Sequence, residues 1–106
     1  MQRVAIWYRD FYDVPRLFVA LDEEATYLFD CAFDQEADEY SKSFRVYRLT
    51  AAGFPSVDGD WQALTRQGVL IGEVAVQDVE FDATRRASIA HEVFARIHPP
   101  SASVLG

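Results

Sequence analysis

Cysteine is almost absent from this sequence of 106 residues, because Cys31 stands alone and cannot form an internal disulfide. The first ten residues also lack the basic segment and the apolar run that mark a secretory signal. Together these absences predict a reducing, cytoplasmic setting. The longest apolar runs, residues 17–21 and 69–71, are far shorter than the roughly 20 residues that cross a bilayer, so we expect no membrane span.

The motifs of common catalytic and cofactor sites are also missing. No serine lies in a GxSxG setting, and Cys31 alternates with Phe29 and Phe33, which favours a packed thiol over a nucleophile. Residues 34–39 space their carboxylates as a calcium loop does. However, Glu39 stands where such a loop needs glycine, and the later glutamate ligand is also missing. The sequence therefore favours a protein without enzymatic activity and predicts no cofactor and no metal site.

Positive charge is scarce in the first 40 residues, which contain three arginines against ten aspartates and glutamates. The remaining residues include seven of each sign, so the whole excess behind the net charge of −7 lies in the N-terminal part. Such a surface repels nucleic acid and anionic lipid, because binding of either depends on lysine and arginine. The charge pattern disfavours nucleic acid and membranes as partners and favours a basic protein, while the oligomeric state stays open.

Hydrophobic residues make up half of the sequence and aromatic residues 14%, which is typical of a packed core. We expect one domain over residues 1–98 and a flexible tail over residues 99–106. Runs of strand-forming residues, bounded by turn residues, predict five β-strands at residues 3–9, 16–21, 26–33, 44–49 and 69–76.

The connections between these strands are predicted from their turn residues. Residues 10–15 indicate a turn, residues 22–25 a four-residue hairpin loop, and residues 34–43 a solvated loop. Residues 61–67 indicate a short helical turn. Gly72, inside the last predicted strand, indicates a bulge or the close approach of another backbone.

A C-terminal helix is the clearest predicted element. Asp82 is suited to its N-cap, and prolines 99 and 100 end it. Its apolar residues share one helical face: Ile89, Ala90, Val93, Phe94 and Ile97. Strands joined by short turns and followed by one helix predict an α+β fold. We expect a curled antiparallel five-stranded sheet, or a small open barrel, with a C-terminal covering helix.

Three groups of residues are candidates for a binding site. The first mixes aromatic, acidic and basic side chains around the predicted turn: Asp10, Phe11, Tyr12, Asp13 and Arg16. The second is acidic: Glu36, Asp38 and Glu39. The third is the pair Arg85 and Arg86 in the first turn of the predicted helix, where cations are disfavoured. The structural alternatives are an ordinary turn, a solvated acidic loop, and arginines paired with carboxylates of the same chain.

The leading hypothesis is a small, acidic, non-enzymatic interaction module that presents residues 10–40 to a basic partner protein. The alternative is a small-molecule or anion-binding domain that uses the mouth of the sheet with Tyr12, Arg85 and Arg86. A third hypothesis is an accessory domain whose exposed aromatic residues mediate self-association. A flat acidic face would favour the first hypothesis, and a concave pocket lined by the two arginines would favour the second.

Overall fold

The computed structural model describes residues 3–12, 14–22, 25–49, 68–82 and 87–99, and most of these lie in β-strands. The strands are β1 (Arg3–Tyr12), β2 (Val14–Leu21), β3 (Thr26–Asp30), β4 (Phe33–Asp34), β5 (Glu39–Tyr40), β6 (Ser43–Leu49), β7 (Val69–Ala75) and β8 (Ser88–Ala90). The helical parts are a 3₁₀ turn, Val76–Asp78, and a four-residue helix, α1 (Val93–Arg96). In the order β7-β6-β3-β2-β1-β8, six strands form one sheet. All neighbours in it are antiparallel, so the predicted antiparallel sheet is confirmed, with six strands where the sequence predicts five.

The hairpin of β2 and β3, which the sequence predicts, lies at the centre of this sheet. Leu21 pairs with Thr26 across the loop at residues 22–25, and the ladder extends to the pair of Leu17 and Asp30. Both strands are apolar on both faces, and each face contributes to a different hydrophobic cluster. This pattern is typical of central strands.

The predicted turn at residues 10–15 is tighter than expected. β1 continues to Tyr12 and β2 begins at Val14, and these two residues pair with each other. The register shifts on both sides of Asp10. A register shift is expected at Asp10, because aspartate is disfavoured in strands. Phe11 and Tyr12 after it are strong strand formers, so the strand continues.

The predicted solvated loop at residues 34–43 contains a second, two-stranded sheet formed by β4 and β5. Phe33 pairs with Tyr40, and Asp34 with Glu39. The Asp34 Oδ1 accepts hydrogen bonds from the backbone N–H groups of Glu36 (3.0 Å) and Ala37 (3.2 Å). Because this carboxylate replaces missing backbone partners, a short acidic segment can close a hairpin.

The C-terminal segment differs most from the prediction. Residues 88–90 form β8, which pairs with the start of β1, so the covering helix is reduced to α1. The Oδ1 of Asp82, the predicted N-cap, accepts a hydrogen bond from Ser88 N at 2.9 Å, and residues 83–86 lie outside the described residues. The apolar pattern correctly predicts that Ile89 and Val93 are buried. It does not predict the extended backbone of Ile89, because the open edge of β1 offers hydrogen-bonding groups that only an extended segment can pair.

The helical content of the described residues is small. No helix in these parts of the chain is long and apolar enough to cross a membrane. The helical turn predicted at residues 61–67 lies outside the described residues. Phe94 in α1 is half-buried and packs on the Tyr27 ring, with ring centroids 4.9 Å apart. The helix therefore contacts the sheet through Phe94 and through the buried Val93.

The segment from β8 to His98 contacts both edges of the six-stranded sheet. Ala90 belongs to β8, the strand at one edge of the sheet, which pairs with β1. His98 and Glu73 of β7 exchange two backbone hydrogen bonds at the other edge. Six strand spacings in a flat sheet would separate these positions by about 29 Å. The chain from Ala90 to His98 advances by eight residues, including one helical turn, and can span at most about 22 Å. The sheet is therefore curved, which brings its edges towards each other.

Two hydrophobic clusters lie on the two faces of the sheet. The larger has Phe18 at its centre, fully buried, with its ring stacked on Phe29 and edge to face on Phe44. Its other buried members are Val4, Ile6, Ala20, Cys31, Val46, Val74, Val79, Ile89 and Val93. The smaller cluster consists of Leu17, Val19 and Leu28, with Tyr47 and Leu49 packed against it. The larger cluster is the main hydrophobic core of the described residues.

Candidate functional site

The β4–β5 hairpin, residues 33–40, has the most unusual surface in the described part of the chain. Phe33 is 47% exposed although it is a large apolar side chain. Its ring stands edge to face on Tyr40, with centroids 5.0 Å apart and an interplanar angle of 77°. Asp38 has a φ of 56°, a left-handed conformation that aspartate tolerates better than most residues. An aromatic pair is thus presented on a short, tightly turned scaffold.

An open cavity of about 900 Å³ lies between this hairpin and the end of β7. One wall is aromatic, formed by Phe33 and Tyr40, and the other is formed by Ala75 and Val76. The remaining lining includes acidic, basic and hydroxyl side chains: Arg16, Asp38, Glu39, Ser41, Lys42 and Ser43. The cavity can therefore contact both apolar and charged groups of a ligand.

Arg16 extends from β2 to the base of the cavity. Its Cζ lies 4.7 Å from the centroid of the Tyr40 ring, in cation–π geometry. Its Nη1 also donates a hydrogen bond to Cys31 Sγ at 3.4 Å, and that thiol donates to Ser41 O at 3.1 Å. Cys31 is 3% exposed, as its alternation with phenylalanines predicts, but the polar contacts of its sulfur are not predicted by that pattern. Arg16 therefore holds the Tyr40 wall in place.

The walls of the cavity are fixed by backbone hydrogen bonds. Ser41 N donates to Ala32 O at 2.8 Å, which ties the end of the hairpin to the residue just before it. Val76 N donates to Lys42 O at 2.9 Å, which ties the opposite wall to the same segment. Because both walls are anchored at residues 41 and 42, a ligand would meet a preformed surface.

The hairpin concentrates negative charge on an exposed surface. Asp34, Glu36, Asp38 and Glu39 are all exposed. Within the described ranges none of the four forms an ion pair; the pairs found there join Arg45 with Glu73 and His91 with Asp22. The charge of the four carboxylates is consequently available to a partner.

Three of the predicted site residues, Arg16, Asp38 and Glu39, line the cavity together, although the sequence placed them in two separate groups. Glu36 lies at the exposed tip of the hairpin. The described structure gives only the backbone of residues 10–12, in β1. Asp13, Arg85 and Arg86 lie outside the described residues, so the expected carboxylate partners of the two arginines stay a prediction.

Sequence reasoning missed the aromatic wall of the cavity. Phe33 and Tyr40 flank the acidic run at both ends, and they pair across the hairpin. Their symmetric placement around a turn-forming segment was the available signal. Ala75 and Val76 could not be found in this way, because they come from a strand 35 residues later in the chain.

A second, smaller cavity of about 420 Å³ is lined by charged residues of three neighbouring strands, Asp30, Arg45 and Glu73. The Arg45 Nε lies 3.8 Å from Glu73 Oε2. The described residues contain no group of three or more His, Cys, Asp or Glu that could hold a metal ion.

No protein-family model matches the chain, and no curated protein or solved structure matches it either. The hairpin and its cavity are the features from which we argue a function.

Proposed function

We propose that the protein is a non-enzymatic interaction module that binds a basic partner protein through the β4–β5 hairpin. The observation that supports this most directly is the exposed Phe33 ring, which lies on the same eight-residue hairpin as four exposed carboxylates. A desolvated aromatic anchor surrounded by a polar, charged rim is the usual energetic design of a protein interface.

The two components of this surface act on different steps of binding. Carboxylates at positions 36, 38 and 39 attract a basic partner over distance and so raise the association rate. The Debye length falls from about 30 Å at 0.01 M to about 10 Å at 0.1 M salt, so this attraction weakens strongly over that range. Phe33 acts after contact, because a buried anchor mainly slows dissociation.

The proposal is tested by association and dissociation rates, measured at two salt concentrations with a basic partner captured from lysate. Glu36→Gln with Glu39→Gln should lower the association rate and its dependence on salt. Phe33→Ala should mainly raise the dissociation rate. The matched control is Glu80→Gln with Glu92→Gln, which removes the same charge from exposed residues outside the hairpin. If both double variants change the association rate equally, the hairpin is not the binding surface and the proposal is wrong.

The second candidate is a small-molecule or anion-binding domain. Its support is the cavity of about 900 Å³, a size in the range of small-ligand pockets, with Arg16 and Lys42 in its lining. This function uses the hairpin cavity instead of Arg85 and Arg86. A melting temperature that rises with the concentration of a small carboxylate or phosphate, and no longer does so in Lys42→Gln, would favour it.

A further inference from the structure

Among the described residues, the charges that line the hairpin cavity balance one another. Arg16 and Lys42 contribute two positive charges, and Asp38 and Glu39 contribute two negative charges. The interior therefore has little net attraction for an ion of either sign. Two walls of the lining, by contrast, are apolar: one is formed by the rings of Phe33 and Tyr40, and the other by Ala75 and Val76. An uncharged, apolar group is the occupant that this interior favours.

The surface next to the cavity has the opposite character. Asp34 and Glu36 belong to the same hairpin but lie outside the lining, and no cation accompanies them there among the described residues. The Asp34 carboxylate is held in place by two backbone N–H groups. A ligand that fills the cavity and extends along the hairpin therefore meets uncompensated negative charge.

From this arrangement we infer that the cavity receives an aromatic or large aliphatic side chain of a basic, extended segment of the partner, whose flanking lysines or arginines lie along the hairpin. This inference rests on the proposed function and adds the chemistry of the partner. The apolar side chain gains by leaving water between the two walls, and the flanking cations gain from the carboxylates outside. The preformed walls limit the ordering cost of binding.

The volume of the cavity is consistent with a segment rather than an isolated small group. Pockets of roughly 300–1,000 Å³ enclose ligands of drug size, and the measured volume of about 900 Å³ lies near the upper end. One bulky side chain together with its neighbouring backbone fits such a space. Lys42, which is exposed at the rim, opposes the flanking cations, so its removal should strengthen binding.

The experiment uses two fluorescein-labelled peptides of nine residues, rich in lysine and glycine, that differ only in having phenylalanine or alanine at the centre. Their affinities are measured by fluorescence anisotropy against the full chain. We expect the phenylalanine peptide to bind about 10-fold tighter or more, from the burial of one aromatic side chain. Lys42→Gln should tighten the binding of both peptides by similar factors.

Two protein variants locate the effect. Ala75→Phe fills the cavity from its own wall and should reduce the preference for phenylalanine over alanine to nearly one. Phe33→Ala, which alters an exposed residue and should leave the fold intact, should reduce the same preference from the other wall. A urea titration checks that each variant is folded. If both folded variants still bind the phenylalanine peptide more tightly than the alanine peptide by the original factor, the inference is overturned.

The failures of this inference and of the proposed function can be told apart. Equal affinity of the two peptides for the unaltered protein overturns the cavity inference. If that binding still weakens in Glu36→Gln with Glu39→Gln, the proposed function stands. Absence of binding of either peptide up to about 1 mM overturns the inference as well. If the two peptides bind with equal affinity and that affinity does not change in Glu36→Gln with Glu39→Gln, both the inference and the proposed function are overturned.

Discussion

Gly72 provides the sharpest test of how the C-terminal segment closes on the sheet. A Cβ atom at this position would lie 2.3 Å from His98 O and 2.7 Å from Ile97 Cγ2. The first distance is more than 1 Å shorter than the roughly 3.5 Å of an optimal contact, and it involves backbone, which cannot rotate away. Gly72→Ala must therefore push residues 97 and 98 off the edge of β7.

The cost of this displacement follows from what holds the segment in place. Glu73 N donates to His98 O at 2.7 Å, and His98 N donates to Glu73 O at 2.9 Å. Loss of both hydrogen bonds costs about 2 kcal/mol net, and loosened packing of Ile97 adds about 1 kcal/mol. Alanine returns about 0.5–1 kcal/mol because it has less conformational freedom than glycine in the unfolded chain. We expect a net destabilisation of about 2–2.5 kcal/mol.

Urea unfolding followed by circular dichroism measures this loss, which should lower the midpoint by about 1–2 M at constant slope. Gly68→Ala is the matched control. Its Cβ would lie 3.1–3.2 Å from its nearest neighbours, so shifts of a few tenths of an ångström suffice. We expect its stability to stay within about 1 kcal/mol of the unaltered protein. Equal stability of the two variants would refute the placement of residues 97 and 98 against β7.

Two further predictions test the core. Phe18→Ala should cost about 3–5 kcal/mol in a urea titration, because the ring is fully buried against Phe29 and Phe44, whereas Phe33→Ala should cost less than about 1 kcal/mol. Similar losses in the two variants would contradict the assignment of the core. Cys31 should react slowly with a thiol reagent in the native protein and rapidly in urea, since it is 3% exposed. Fast, stoichiometric reaction of the native protein would show that the thiol is accessible.

The central part of the sheet could be predicted from the sequence because local and long-range preferences agree there. The acidic loop at residues 22–25 separates two runs of strand-forming residues that are apolar on both faces, and the ladder pairs them as expected. Gly72 was also informative. It combines a register shift next to Val46 with the close approach of His98, so both alternatives that a glycine in a strand indicates are present.

The extent of the C-terminal helix was mispredicted because two structures share the same apolar residues. Ile89 and Val93 are buried in the larger cluster whether the segment is helical or partly extended. The choice depends on the free edge of β1, where Arg3 pairs with Ala90 although the two residues stand near opposite ends of the sequence. A pattern of apolar spacing does not contain that information, so tertiary hydrogen bonding overrides local propensity.

The candidate site was predicted only in its charges, for a related reason. The acidic residues are visible as a run in the sequence, whereas the cavity exists because β2 brings Arg16 to the Tyr40 ring and β7 brings Ala75 into the same lining as Phe33. Contacts between such distant segments depend on strand order, which the sequence does not show directly. The structure thus joins two groups of predicted residues and adds an aromatic wall to them.

Several features of the β4–β5 hairpin lower the stability of the fold, which argues that the hairpin serves binding. Phe33 leaves nearly half of its surface in water, and four neighbouring carboxylates repel one another. Asp38 adopts a left-handed backbone that glycine would occupy without strain. A loop selected for stability alone would be expected to avoid this combination, because each feature has a less costly alternative. Local strain and exposed apolar surface are concentrated at functional sites, and here both occur beside a preformed cavity.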